Sequence, residues 1–437
     1  MILLNKKYLS VSTCLVILVL FSCINFFNLK TYYDEILNSS GLIYENFEEE
    51  LKNENERAKE SEDEYQKIVE QGENEEVTLD ENPSTDLKLH AKAALLLDAS
   101  NNRVLYEENG FKEMPMASTT KIMTCIVTLE NANLSDIVTV SSYAAKMPDV
   151  QLKINEGEQY YLKDLMYSLM LESHNDVAVA IAEHVGGSVE GFSTMMNDKA
   201  RSLGCEHTNF VTPNGLDAEG HYTTANDLAV IASYAIKNDQ FIEITNTSAY
   251  QFKEIKKGRS FSVSNKNRFL YMMEGAIGVK TGFTGDAGYC FVGAIKRLDK
   301  NFISVVLACG WPPSKSLKWS DTKKLMNYGI DNYNVRQIFE EKNLDPVFVK
   351  DGQKKNEILT MEGELSLLLR EDEEVHIKYD IPEVLQAPVA ENIVVGYARY
   401  YIDTTLYAEI PIYTTQEVKK IDYPFCLKKI FGLWSLQ

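Results

Sequence analysis

The chain opens with an apolar run from Leu9 to Leu29, interrupted mainly by Ser, Thr, Cys and Asn25. A run of that length spans the hydrocarbon core of a bilayer, roughly 30 Å. Lys6 and Lys7 precede it and acidic residues follow it, an asymmetry that predicts a body outside the cytoplasm. Residues 1–30 therefore read as an uncleaved anchor, a secretory signal or a lipoprotein signal ending at Cys23. Anchor or signal is favoured, because Phe21 is bulky for a lipobox. Residues 31–87 lose large apolar side chains and gain runs such as Glu48-Glu49-Glu50 and Glu73-Asn74-Glu75-Glu76. Such a segment buries too little surface to offset its ordering entropy, and it reads as a flexible or partly helical stalk.

From residue 88 the patterning becomes that of a folded domain. Ala91–Leu97 and Arg103–Tyr106 read as strands around the turn-forming Asp98-Ala99-Ser100-Asn101-Asn102. Ser118 opens a helix-compatible apolar stretch running through Leu129. Further helices are predicted over Leu162–Met170, Ala178–His184, Val189–Leu203 with Gly204 as its stop, and Thr224–Lys237. Gly288–Ala294 and Phe302–Ala308 are apolar strands separated by a charged turn, and Trp319–Tyr333 closes the segment as a helix. Strands at both ends with helices between imply one sheet covered by helices, an α/β (α+β) domain over 88–338.

Residues 343–416 alternate apolar and polar positions in short segments, which predicts a small all-β, sandwich-like domain. In residues 421–437, Leu427, Ile430, Phe431 and Trp434 fall at helical spacing beside Lys428 and Lys429. This is the pattern of an amphipathic tail lying on an anionic membrane surface, with packing on the protein's own domain as the alternative.

Composition narrows the function. The formal net charge of −20 argues against nucleic acid as a partner. The seven cysteines show neither C-x-x-C nor zinc-ligand spacing and read as buried free thiols, with pairing of Cys290 and Cys309 across neighbouring strands as the alternative. No metal cluster or nucleotide loop is visible, so no cofactor is expected.

Chemistry enters with three motifs in fixed order: Ser118-Thr119-Thr120-Lys121, Ser173-His174-Asn175 and Lys280-Thr281-Gly282. A serine hydroxyl needs a base, and an S-x-x-K spacing at a helix start puts Ser118 and Lys121 on one face. Burial and the neighbouring cation Lys280 would lower the Lys121 pKa, freeing its lone pair. Ser173 can relay a proton and Asn175 can hold a substrate amide. Lys280 and Thr281 can bind a carboxylate, Gly282 can admit substrate close to the backbone, and the Phe283 N–H can serve as an oxyanion donor with that of Ser118. Singly, each part has a bland reading: Ser118 a cap, Lys121 a solvated residue, Asn175 a loop cap, Gly282 a turn. Their joint occurrence in order describes acyl transfer through a serine ester.

These segments resemble the serine-type D-Ala-D-Ala carboxypeptidases, the low-molecular-mass penicillin-binding proteins. The likeness extends to Asn214-Gly215-Leu216-Asp217 with His221-Tyr222-Thr223-Thr224-Ala225, and to Ala287-Gly288-Tyr289-Cys290. It covers roughly Leu87 to Tyr413. It implies removal of the terminal D-Ala from peptidoglycan stem pentapeptides, and β-lactams as covalent inhibitors at Ser118. Two departures stand out. His174 fills a position usually held by a small residue and is expected to point to solvent. Trp311 stands where some members carry a carboxylate-binding arginine, leaving more of that task to Lys280 and Thr281. A β-lactamase is the rival enzyme, with Glu156, Glu158 and Glu172 as the glutamates available to activate water. A non-catalytic wall-binding scaffold and an endopeptidase on cross-linked stems also fit the motif set.

Overall fold

The computed structural model describes residues 87–434, apart from residues 149 and 298. The expected N-terminal anchor or signal, and all but the last residue of the acidic stretch, lie outside the described residues.

The first domain begins with β1 (Ala93–Asp98) and β2 (Arg103–Glu108), and the chain returns to the same sheet only much later. Next come α1 (Lys121–Asn131), the short strands β3 (Ile137–Thr139) and β4 (Gln159–Tyr161), α2 (Leu162–Leu171), α3 (Asn175–Gly186) and α4 (Val189–Ser202). Then follow α5 (Ala225–Ala235), α6 (Asp239–Asn246) and the hairpin β5 (Ala249–Lys253) and β6 (Ser260–Ser264). β7 (Ala276–Thr284), β8 (Gly288–Arg297) and β9 (Lys300–Leu307) complete a five-stranded antiparallel sheet in the order β2-β1-β9-β8-β7. α7 (Leu317–Asn332) packs on it.

The sheet is central because its strands are apolar on both faces. All six residues of β1 are buried. Period-two alternation sends Ala93, Leu95 and Leu97 into the core beneath helices α1 to α6, and Ala94 and Leu96 into the core with Trp319, Leu325 and Met326 of α7. Local signals set the helix ends. The Ser188 and Thr224 side chains accept from Gly191 N–H and Asp227 N–H at the starts of α4 and α5, and Gly187 ends α3 in the left-handed conformation.

The second domain holds β10 (Asn334–Gln337), β11 (Val347–Lys350), β12 (Asn356–Glu357), β13 (Leu359–Thr360), β14 (Ser366–Leu369), β15 (Val375–Asp380), β16 (Val384–Gln386), β17 (Val394–Ile402) and β18 (Thr405–Thr414). A four-stranded sheet, β13-β18-β17-β15, and a three-stranded sheet, β12-β11-β16, share a core around Val347, Leu369, Ala398, Tyr400 and Ile412. It is tied to the first domain by Arg103, whose buried guanidinium donates to the Leu368 carbonyl and pairs with Glu373, and by Tyr333, whose hydroxyl donates to the Leu105 carbonyl at 2.7 Å. The described chain ends in α8 (Tyr423–Trp434), which leaves Ile430 and Phe431 exposed.

Candidate active site

Ser118 lies in a single 3₁₀ turn, Ala117–Thr120, that runs directly into α1. The turn is tight: Ala117 takes a positive φ of 47°, and the Thr119 and Thr120 hydroxyls donate back to the Met116 and Ala117 carbonyls at 2.5 and 2.7 Å. Lys121, the first residue of α1, is fully buried. Its Nζ lies 2.8 Å from Ser118 Oγ and 2.9 Å from Asn175 Oδ1, and also meets the Asn214 carbonyl. Burial, and then the charge of Lys280, hold Lys121 well below the ordinary lysine range, with Asp176 opposing.

This partner set has a chemical consequence. The Asn214 carbonyl and Asn175 Oδ1 can only accept, so a neutral Lys121 amine directs its two N–H groups at them. Its lone pair is then left facing the Ser118 hydroxyl, which is the geometry of a general base on a nucleophile.

The third motif reaches the site from β7, the edge strand. Lys280 and Gly282 lie opposite Val292 and Cys290, both in the helix-side core. Lys280 is 2% exposed, donates from Nζ to the Thr281 carbonyl at 3.0 Å, and is lowered by burial to about 7. A Cβ on Gly282 would sit 3.0 Å from Ser118 N and 3.1 Å from both Thr119 N and Ala117 Cβ. The expectation that Gly282 makes room for substrate is thus corrected: the vacant space is taken by the backbone of the Ser118 turn. Thr281 is half-buried, and Phe283 is exposed with its ring 4.7 Å from that of Tyr289.

The second motif is split. Asn175 joins the Ser118–Lys121 pair, whereas Ser173 is held at φ 69° with its Oγ buried and without a hydrogen-bond partner among the described residues. His174 is not at the surface as expected. It is 4% exposed, with Nδ1 2.8 Å from Ser168 Oγ and Nε2 3.4 Å from Glu172 Oε2. The hydroxyl is hydrogen-bonded to Nδ1, and the carboxylate lies within ion-pair distance of Nε2.

Sequence reasoning missed the Asn214 carbonyl, because a backbone acceptor has no side-chain signature. The available signal was the Asn214-Gly215 pair: Gly215, at φ 78°, brings this segment so close that a Cβ would fall 2.1 Å from the Ala117 carbonyl oxygen. His221 fixes the same segment, with Nε2 2.9 Å from Thr120 Oγ1 and Nδ1 accepting from Val211 N–H at 3.0 Å. Trp311 donates from Nε1 to the Gly285 carbonyl at 2.8 Å, under the Lys92 ammonium. Cys290 and Cys309 are both free buried thiols.

A family profile described as D-alanyl-D-alanine carboxypeptidase matches residues 78–310, and one described as penicillin-binding protein 5, C-terminal domain, matches residues 333–420. The chain belongs to the D-alanyl-D-alanine carboxypeptidase family. It is 30% identical to D-alanyl-D-alanine carboxypeptidase DacF of Bacillus subtilis (strain 168), an alignment covering 80% of this chain and 92% of that protein. It is 35% identical to a D-alanyl-D-alanine carboxypeptidase of Streptomyces sp. (strain K15), over 58% of this chain and 92% of that protein. Among solved structures, penicillin-binding protein 5 from Haemophilus influenzae aligns with a TM-score of 0.64 at 26% identity, over 79% of this chain and all of that one. The α/β (α+β) catalytic domain followed by an all-β domain is the architecture of this carboxypeptidase family, and the chain is a serine carboxypeptidase, a hydrolase.

Proposed function

We propose that the chain removes the terminal D-Ala from peptidoglycan stem pentapeptides through an acyl-enzyme on Ser118, with neutral Lys121 as the base. The observation that carries this is the 2.8 Å approach of a fully buried Lys121 Nζ to Ser118 Oγ, with its other two partners able only to accept. Ser118 Oγ attacks the carbonyl of the penultimate D-Ala while Lys121 takes its proton. The Ser118 and Phe283 N–H groups serve as the oxyanion donors. The proton passes to the leaving D-Ala amine through Lys121 and the Ser173 hydroxyl, which has no competing partner among the described residues. Asn175 holds the substrate amide, and Lys280 with Thr281 receives the terminal carboxylate. Water then hydrolyses the ester, returning the proton to Ser118.

Two of the three glutamates available for a β-lactamase, Glu158 and Glu172, are otherwise engaged, which supports a slow-deacylating peptidase. Burial opposes charge on Glu158, but hydrogen bonds from Asn155, Tyr160 and Arg259 lower it to about 2. Glu172 is occupied by Ser264 N–H, Lys266 and His174. β-Lactams act as covalent inhibitors at the same serine.

We further propose that the protein works outside the cytoplasm at the membrane surface, held by its termini. Support comes from the apolar run Leu9–Leu29 and from α8, whose Ile430 and Phe431 are exposed beside Lys428 and Lys429. The test of the catalytic reading is D-alanine release from a synthetic pentapeptide ending in D-Ala-D-Ala. Release by the wild type and its loss in Ser118→Ala are expected; equal release by both would reject Ser118.

A further inference from the structure

Between Glu172 and Asp176 the chain turns sharply from α2 into α3, and each side chain has a separate anchor. Asp176 accepts from the N–H groups of Leu152, Lys153 and Ile154 at 2.8 to 3.2 Å. Glu172 accepts from Ser264 N–H at 3.0 Å and pairs with Lys266 at 3.1 Å, while Lys266 N–H donates to the Leu171 carbonyl at 3.0 Å. Ser173 sits between them in a left-handed conformation that disfavours any residue with a Cβ. Something must hold it there, and its own hydroxyl makes no bond among the described residues.

Asn175 is anchored by its N–H to the Val150 carbonyl at 2.7 Å and by Nδ2 to the Pro148 carbonyl at 3.3 Å, and His174 adds an anchor of its own on the α2 side. Its ring bridges Ser168 of α2 and Glu172 of the turn, and it precedes Asn175, whose amide reaches Lys121. Burial lowers the imidazole pKa, Asp176 and Glu172 pull the other way, and Lys121 and Lys280 lower it again, with a net result below the ordinary value. A neutral ring has one donor and one acceptor nitrogen. The carboxylate at Nε2 selects Nε2–H, which leaves Nδ1 to accept the Ser168 hydroxyl. A small residue at this position has no atoms to make either contact.

We propose that His174 is a positioning residue: its imidazole pins the left-handed turn at Ser173 to Ser168 and Glu172, and so keeps the Ser173 hydroxyl and the Asn175 amide in register with Lys121. This rests on the reading of Ser118 as nucleophile. The experiment is time-resolved acylation of the protein by a penicillin, read by intact mass, with the limiting rate separated from the non-covalent dissociation constant. His174→Ala is expected to lower the limiting rate about tenfold or more, since small misplacements of reacting groups are costly. Its dissociation constant should rise by less than the limiting rate falls, because Ser173, one of the two groups it positions, acts after binding. His174→Asn, whose amide can still accept from Ser168, is expected to recover most of the rate. A His174→Ala protein that acylates at the wild-type rate, or a His174→Asn protein no faster than His174→Ala, would overturn the proposal. Should His174→Ala fail to fold, Ser168→Ala decides: a slowed limiting rate is expected, and an unchanged one overturns it. Wild-type protein that takes no adduct on Ser118 would instead reject the nucleophile assignment, and this proposal with it.

Discussion

Gly282 and Ser118 are packed backbone to backbone: a methyl group on Gly282 would lie 3.0 Å from the Ser118 amide nitrogen. β7 therefore serves as a wall that sets the height of the Ser118 turn, as well as the strand that carries Lys280. A Cβ at this distance forces the turn or the strand to move by a few tenths of an ångström.

Gly282→Ala is accordingly expected to slow acylation by about tenfold or more while costing about 1–3 kcal/mol of stability, the usual range for overpacking. Acylation kinetics beside thermal melting check this. Wild-type acylation by Gly282→Ala would show that the turn gives way without consequence.

Much of this arrangement is legible in the sequence, and the reasons differ by residue. The order of the three motifs identifies Ser118, Lys121, Asn175 and Lys280 because their chemistry resides in side chains at fixed spacing. The long apolar strands β8 and β9 are legible because they are buried on both faces. The hairpin β5–β6 and helix α6 are not: both hairpin strands bury a single residue each, too little apolar pattern to read. The burial of His174 escapes the sequence because it depends on Ser168 and Glu172, and a histidine in a turn carries no sign of partners that tertiary packing will supply. The role of Gly282 escapes it because the approach of Ala117–Thr120 across the sheet edge is a long-range contact.

The pH dependence of kcat/KM should report Lys280. Lys280 is lowered by burial to about 7, so in the free enzyme its positive charge is present below that pH and lost as pH rises through it. The proposed carboxylate contact predicts an alkaline limb near 7 in kcat/KM. The same limb should lie higher in kcat, because a bound carboxylate favours the charged lysine. Lys280→Arg, which stays protonated, should move the kcat/KM limb upward. An unmoved limb would assign it to another group.

Stability in acid should carry the signature of His221. Burial, opposed by Asp217, lowers this imidazole to about 4, against about 6.5 in an unfolded chain. The unfolded state therefore binds the extra proton first. The neutral ring's contribution is complete above about 6.5 and is lost as pH falls towards 4, about 3 kcal/mol in all. Melting temperatures of wild type and His221→Gln across about pH 4 to 7 test this: the wild type should fall more steeply. Parallel curves would show that His221 does not titrate in this range.

The most direct test of the central claim is the intact mass of the folded protein after incubation with a penicillin, beside Ser118→Ala, with the modified peptide mapped. The account predicts one drug mass on the wild type, carried by the peptide containing Ser118, persisting for many minutes and absent from Ser118→Ala. A folded wild type that takes no adduct, or an adduct that survives in Ser118→Ala, would contradict it.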